Sequence, residues 1–366
     1  MLPMFRLAAA WGTVVIFLLA GETMLSGTHP VVTSILFIWL LGVILWAAFG
    51  VVYEAEEVAE RLGEPFGTLI LTLSIVIIEV ALISAVMLGE NAVPTLGRDT
   101  MFAVIMIVLN GVVGLCLLTG GLRYHQQSYN LQGASAYLAL IIPLSVIALV
   151  LPNFTTSTAG GMLSGSQAAF FSIFTIALYG LFLWLQTGRH RGFFVPASAT
   201  GDDEVGSPLP HHVRAGGTTR MRVLLLFANI LPIIILSKSL ATILDQGIAL
   251  FGAPPALGGI VIAMIVFTPE GISALRAVAA NQLTRAINLC LGAATSTLGL
   301  TVPAVLLIGL LTQRPVTLGL SAANMVLLAV TLVLNTLTFS GTRTTMLEGA
   351  THLSLFFVFI VLVFSP

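Results

Sequence analysis

Long apolar segments recur along almost the whole chain and set its predicted architecture. A helix of about 20 apolar residues spans the hydrocarbon core of a bilayer, and the pattern predicts eleven such helices. They lie near residues 6–22, 30–52, 66–88, 100–121, 135–152, 166–186, 222–246, 256–279, 286–312, 318–340 and 350–365. A polar interval at residues 187–221 has the composition of a linker. The predicted fold class is an all-α polytopic membrane protein.

Composition agrees with this prediction. Hydrophobic residues make up 57% of the 366 positions and charged residues 8%, whereas soluble domains carry about 25% charged residues. A net charge of -1 without a basic patch gives no reason to expect a nucleic-acid partner. Cys116 and Cys290 both fall in apolar segments, so we expect buried thiols rather than a disulfide or metal pair. The first apolar segment has the length of a signal peptide, but ten further spans favour a retained helix.

Arginine residues predict the orientation of the helices. Short cytoplasmic loops carry the excess of Lys and Arg. With the N-terminus inside, only Arg98 and Arg314 fall on the outer side. The cytoplasmic set contains eleven arginines: Arg6, Arg61, Arg123, Arg189, Arg191, Arg214, Arg220, Arg222, Arg276, Arg285 and Arg343. The prediction is a bacterial inner-membrane protein with its N-terminus and linker in the cytoplasm and its C-terminus outside.

The span count predicts an internal repeat. Setting aside the first helix leaves five spans on each side of the linker, and an odd number per half gives the halves opposite orientations. Inverted repeats are typical of secondary transporters. The predicted domains are a peripheral first helix within 1–29, a first repeat at 30–186, the cytoplasmic linker at 187–221 and a second repeat at 222–366.

Glu79 and Glu270 are the acidic residues that fall deepest in the apolar segments. Each lies in the second span of its half, and the twelve-residue step from Gly67 to Glu79 recurs from Gly258 to Glu270. A charged group at mid-membrane depth costs roughly 2.5–3.5 kcal/mol even on the milder insertion scale, so we expect both to be functional. Asp99 and Asp245 fall at span termini, and the helix dipole accounts for Asp99 at a helix start. The remaining acidic residues, Glu54 included, are expected at loops or span ends as solvated charges.

Further oxygen atoms are candidate ligands beside these glutamates. Thr68 and Thr72 share a helical face with Glu79. Pro269 cannot donate a hydrogen bond to the carbonyl of Ile265, which frees a backbone oxygen of the kind that binds cations in interrupted membrane helices. Neighbouring side-chain candidates are Asn110, Thr268, Thr295, Ser296 and Thr297. Hydroxyls in membrane helices also bond to neighbouring helices, so a structural role for these side chains stays open.

Two carboxylates at such a site allow two kinds of occupant. Ionised carboxylates and carbonyls bind a hard cation such as Ca²⁺, whereas an empty site of low dielectric favours protons on the same oxygens. If the site opens to one side at a time, this competition exchanges cations for protons by alternating access. Na⁺ and K⁺ stay open as cargo, and a Na⁺(K⁺)/proton antiporter is the main alternative. We expect inorganic cations, protons and the lipid bilayer as partners, and no cofactor. The sequence is compatible with a homo-oligomer but does not require one.

Two other function classes fit less well. A passive cation channel would use the same ligands without proton coupling. An intramembrane acid–base enzyme would use the two glutamates catalytically, but the chain has no His-Glu-x-x-His motif and no nucleophile elbow. We therefore expect a transporter and not an enzyme.

Four separated stretches carry a family pattern. They read RLGEPFGTLILTLSIVIIE at 61–79, PTLGRDT at 94–100, PEGISALR with a following NQ at 269–282, and GATHL at 349–353. In this order they resemble the bacterial calcium/proton antiporters of the cation/calcium antiporter superfamily. The resemblance implies an inner-membrane exchanger of eleven helices, with the cation and proton site at Glu79 and Glu270 and an acidic cytoplasmic segment at residues 202–212.

The chain departs from the wider superfamily beside each glutamate. The related vacuolar cation/proton exchangers carry Gly-Asn shortly before each glutamate, where this chain has Ile75-Val76 and Val266-Phe267. Two amide oxygens are therefore absent from the implied ligand set. The acidic run at 202–204 is short, which favours a linker over a calcium sensor.

Overall fold

A computed structural model describes residues 2–25, 29–63, 66–89, 93–194, 218–341 and 343–365, except the side chains of residues 2, 3 and 68. The acidic segment at 202–212 lies outside these residues. In the described part, ten helical segments are long and apolar enough to cross a membrane, and Ala322–Thr338 is a shorter apolar helix. Each predicted apolar segment coincides with one of these helices, which confirms a multi-pass helical membrane protein.

The elements follow one another with short connections in the described part. The helices are α1 (Leu2–Leu25), α2 (Pro30–Leu62), α3 (Phe66–Met87), α4 (Leu96–Met106), α5 (Val113–Tyr124), α6 (Leu131–Leu149), α7 (Gly165–Trp184), α8 (Thr219–Phe251), α9 (Ala256–Ala279), α10 (Leu283–Ser296), α11 (Val302–Thr312), α12 (Ala322–Thr338) and α13 (Met346–Phe364). The π-helical turns Ile107–Val112 and Thr297–Thr301 join α4 to α5 and α10 to α11, and a third, Leu185–Arg189, extends α7. Strands β1 (Gln127–Ser128) and β2 (Arg343–Thr344) pair antiparallel.

Helix α2 extends ten residues beyond the predicted end at residue 52. The added turns are rich in Ala, Glu and Arg, which are strong helix formers without being hydrophobic. The helix ends at Gly63, whose φ of 67° is a conformation that glycine adopts without strain. The apolar pattern therefore marks the membrane-spanning part of α2 and misses its polar continuation.

Helices α3 and α9, which carry the two glutamates, are in contact at the centre of the bundle. Helix α9 also packs against α2, α4, α5 and α10, and α1 packs on α2 and α8. The contact of α5 with α13 depends on small residues, because a Cβ at Gly349 would overlap the backbone of Leu118. Close approach of this kind is a common packing mode of membrane helices. The packing brings the two glutamate-bearing helices together.

Glu54 is buried, so the expectation of a solvated charge at this position is wrong. The extension of α2 places Glu54 against α8 with 1% of its surface exposed. Arg222 Nη1 donates to Glu54 Oε2 at 3.0 Å, and Arg6 Nη2 lies 4.0 Å from Oε1. Arg6 Nε also donates to Asn229 Oδ1 at 3.1 Å. This ionic cluster joins α1, α2 and α8.

We expect Glu54→Gln to lower the free energy of unfolding by about 1–3 kcal/mol, because the partly buried Arg6 and Arg222 lose their shared ion-pair partner, while Arg222 keeps its contact of 3.8 Å with Glu57. Denaturant titration of the purified protein in detergent micelles measures the change. Glu60→Gln is the matched control, since Glu60 is exposed on the same helix, and it should shift stability by less than about 0.5 kcal/mol. Equal stabilities for the Glu54 variant and the unaltered protein would contradict a structural role for the cluster.

Candidate functional site

Glu79 lies near the middle of α3 and is closed off by the opposite half of the chain. Its side chain is 1% exposed. Thr301 Oγ1 donates to Glu79 Oε2 at 2.8 Å, and Thr297 Oγ1 lies 3.1 Å from the same oxygen. Hydrogen bonds to a charged acceptor are among the stronger ones in proteins. The carboxylate therefore accepts hydrogen bonds from two hydroxyls.

The π-helical turn Thr297–Thr301 aims both hydroxyls at Glu79. Pro303 follows the turn and cannot donate to the carbonyl of Gly299, which favours a local departure from α-helical bonding. Gly299 allows Tyr179 of α7 to pack closely, because a Cβ there would lie 2.8 Å from the tyrosine Cβ. The turn is thus held between α3 and α7 with its two threonines facing α3.

Glu270 lies in α9 directly after Pro269 and is satisfied less completely than Glu79. Its Oε2 atom is buried and has no hydrogen-bond partner in the described part of the chain. The Glu79 carboxylate is near enough to interact with it electrostatically. A buried carboxylate oxygen without a partner is costly. Binding of a proton or a cation at this oxygen would therefore be favourable.

A cavity of about 810 Å³ connects Glu270 to one end of the bundle. Glu270 and Thr72 line its inner part, and Ser128, Asn281 and Gln282 line the part between the helix ends. Glu270 lies nine residues before the end of α9, which corresponds to about 14 Å along the helix axis. The cavity gives one carboxylate a route to a single side, while Glu79 stays enclosed.

The other oxygen ligands predicted from the sequence lie at several different places in the structure. Ile265 is buried four residues before Pro269 in α9, and Thr72 lines the cavity with Glu270. Thr68 lies in α3, but its side chain is outside the described part. Three hydroxyls donate to their own helices: Thr268 to Met264 O (2.5 Å), Thr295 to Leu291 O (2.7 Å) and Ser296 to Ala293 O (2.9 Å). Ser296 also lines the cavity.

Asn110 belongs to a separate buried network. It lies in the π-helical turn Ile107–Val112, and its Nδ2 donates to Thr331 Oγ1 at 2.9 Å. Its Oδ1 lies 3.1 Å from His352 Nδ1, and His352 Nε2 lies 3.0 Å from Thr338 Oγ1. This network ties the turn to α12 and α13 and directs the amide to these helices rather than to either glutamate.

Thr301 is the site residue that the sequence analysis missed, and Thr297 was considered only as part of a run of hydroxyls. The sequence does contain a signal for Thr301. It follows Glu270 by 31 residues, and Asn110 follows Glu79 by the same step. Both positions fall in π-helical turns. A comparison of the two halves position by position would have drawn attention to Thr301.

Known proteins resemble this chain in sequence and in fold. A profile of the family described as "Sodium/calcium exchanger protein" matches residues 32–188 and 221–365. The sodium-potassium/proton antiporter ChaA of Escherichia coli (strain K12) is 40% identical over 341 residues, which cover 93% of this chain and 91% of that protein. The Ca²⁺/H⁺ antiporter ChaA of Bacillus subtilis (strain 168) is 25% identical over 182 residues, half of each chain. The structure of native YfkE matches with a TM-score of 0.75 at 18% identity and covers 100% of both chains. The family profile thus matches both halves of the chain and omits residues 189–220.

Proposed function

The chain belongs to the sodium/calcium exchanger protein family, a family of transporters, and on that premise we propose that it exchanges cytoplasmic cations for external protons. The observation that carries the proposal is the pair of mid-helix carboxylates, of which Glu79 is closed by hydroxyls and Glu270 meets a cavity. A cation needs these oxygens ionised, whereas protons neutralise them. Cation and protons therefore exclude each other at the site. Exchange of one for the other needs no energy source besides their own gradients.

An inverted repeat supplies the change of access in this proposal. Helices α2 to α7 form one repeat and α8 to α13 the other, with eleven spans in total and α1 outside the repeats. Three observations support this division: the family profile matches in two blocks, each glutamate-bearing helix is followed by a helix with a π-helical turn, and α1 packs on only one side of the bundle, against α2 and α8. Rocking of one repeat against the other would open the site to the opposite side.

The predicted orientation indicates the side of the membrane to which the cavity opens. Arginines predicted to be cytoplasmic lie in the last turns of α5 and α9 (Arg123 and Arg276) and just after the α7 extension (Arg191). Residues from the connections that follow these three helix ends line the cavity. The state described here is therefore the inward-facing one in our proposal. Cytoplasmic cations reach Glu270 first, while the hydroxyls of Thr297 and Thr301 keep Glu79 occluded.

Two cargo classes are supported by different observations. Two carboxylates neutralise one Ca²⁺, and the Bacillus subtilis relative is named a Ca²⁺/H⁺ antiporter. Na⁺ or K⁺ with one retained proton gives a site of the same charge, and the more similar Escherichia coli relative is named a sodium-potassium/proton antiporter. We propose Ca²⁺ as one cargo and Na⁺ or K⁺ as the second candidate.

Transport into everted membrane vesicles tests the proposal. The vesicle interior is acidified, a dye reports its pH, and labelled Ca²⁺ or Na⁺ is added outside, on the former cytoplasmic face. Antiport predicts that the added cation dissipates the pH gradient and accumulates above its equilibrium level. Vesicles without the protein are the control. Cation uptake that never exceeds equilibrium and leaves the pH unchanged would identify a channel and refute the exchange.

A further inference from the structure

The cavity in front of Glu270 has an unexpected charge for the entrance to a cation site. Among the lining residues that the structure describes, the charged side chains are Glu270 at the inner end and Arg285 toward the helix ends. Arg285 is exposed in the first turn of α10. It takes part in none of the ion pairs formed by the described residues. A cation that enters the cavity therefore passes a positive charge that none of the described carboxylates pairs with.

The start of α10 adds to the same positive field. Helix N-termini carry a partial positive charge from their free N–H groups. Gln282, the residue at the N-cap of α10, forms no side-chain capping bond, and Gln282 and Leu283 both line the cavity. The backbone and the guanidinium thus act with the same sign near the mouth. Entrances that concentrate cations are lined by rings of carboxylates instead.

We propose that Arg285 is a specificity-determining residue that selects the valence of the transported cation. Its field opposes divalent cations more than monovalent ones, because Coulomb energy is proportional to the charge of the ion. The fold-change for a divalent cation is therefore the square of the fold-change for a monovalent cation. This assignment rests on the proposed exchange function. It predicts that the exchange favours Na⁺ and K⁺ over divalent cations.

Half-saturation concentrations for Na⁺ and Ca²⁺ in everted vesicles test this assignment. Arg285→Gln is expected to lower the value about twofold for Na⁺ and about fourfold for Ca²⁺. Arg285→Glu reverses the charge and should lower the values about fourfold and about 16-fold. Arg285→Lys keeps the charge and should leave both unchanged. Arg276→Gln is the matched control, since Arg276 is exposed at the end of α9 and does not line the cavity.

Salt gives an independent readout that a merely structural change would not reproduce. At about 1 M of an impermeant salt the screening length falls to about 3 Å, so the difference between Arg285→Gln and the unaltered protein should shrink. Equal fold-changes for Na⁺ and Ca²⁺, or a lysine variant that behaves like the glutamine variant, would overturn the assignment. Unaltered protein that moves no protons in response to any cation would instead refute the proposed function, and the assignment with it.

Discussion

Glu270→Gln is expected to reduce cation-driven proton movement by roughly 100- to 1000-fold. Glutamine keeps the volume of the side chain, but it neither ionises for the cation nor takes up the returning proton. A unit charge contributes about 4 kcal/mol to a contact at 4 Å when the effective dielectric constant is 20, which corresponds to about three decades in binding. Glu79→Gln should have an effect of the same size, because both carboxylates are needed to neutralise the cargo. The vesicle pH assay measures both variants.

Two further variants make this prediction specific. Glu60→Gln removes an exposed carboxylate from α2 and should leave exchange within twofold of the unaltered protein. Glu270→Asp keeps the charge but withdraws the oxygens by one methylene, so partial exchange with weaker cation binding is expected. If Glu270→Gln kept coupled exchange at more than a tenth of the normal rate, Glu270 would not be the proton and cation carrier.

Thr301→Val is expected to raise the half-saturation concentration of the cation about tenfold or more. The shortest hydrogen bond to Glu79 comes from Thr301, and a bond to a charged group contributes about 1.5–3 kcal/mol. Valine has nearly the same shape and removes only the hydroxyl, so the ionised carboxylate loses one of its two donors. Cation titration in everted vesicles at one fixed pH measures the shift.

Thr295→Val is the matched control for this change. Thr295 is also fully buried in the same span, but its hydroxyl donates to the carbonyl of Leu291 in its own helix. Its loss should alter the half-saturation concentration less than twofold. Thr301→Ser should restore the value of the unaltered protein. Equal shifts for Thr295→Val and Thr301→Val would show that hydroxyls in this span act through general packing and not through Glu79.

Helix positions could be predicted well because lipid imposes a long apolar run on each span. Helix α9 shows this, since its predicted range of 256–279 is also the range in the structure. Helix α2 shows the limit. Its last ten residues leave the apolar pattern while continuing the helix, so hydrophobicity carries no information about them. The burial of Glu54 followed from this continuation and could not be predicted without knowing that α8 packs beside it.

Residues of the site could be predicted only where the residue type alone is energetically costly inside a membrane span. Glu79 and Glu270 were identified because an acidic residue in an apolar run requires a reason. Thr301 shares its span with other hydroxyls, and what distinguishes it is contact with a helix more than 200 positions away in the chain. Helical periodicity gives the direction of Thr72 around α3, but it does not say that the cavity in front of Glu270 lies there.

The ionic cluster at Glu54 also has a consequence for the synthesis of the protein. Arg222 follows Glu54 by 168 residues, so at about 5–20 residues per second the carboxylate waits roughly 10–30 s for this partner. Arg6 is made before Glu54 and already lies on the neighbouring first helix. Arg6 is therefore available as a counter-charge for the new carboxylate before the second half of the protein has been synthesised.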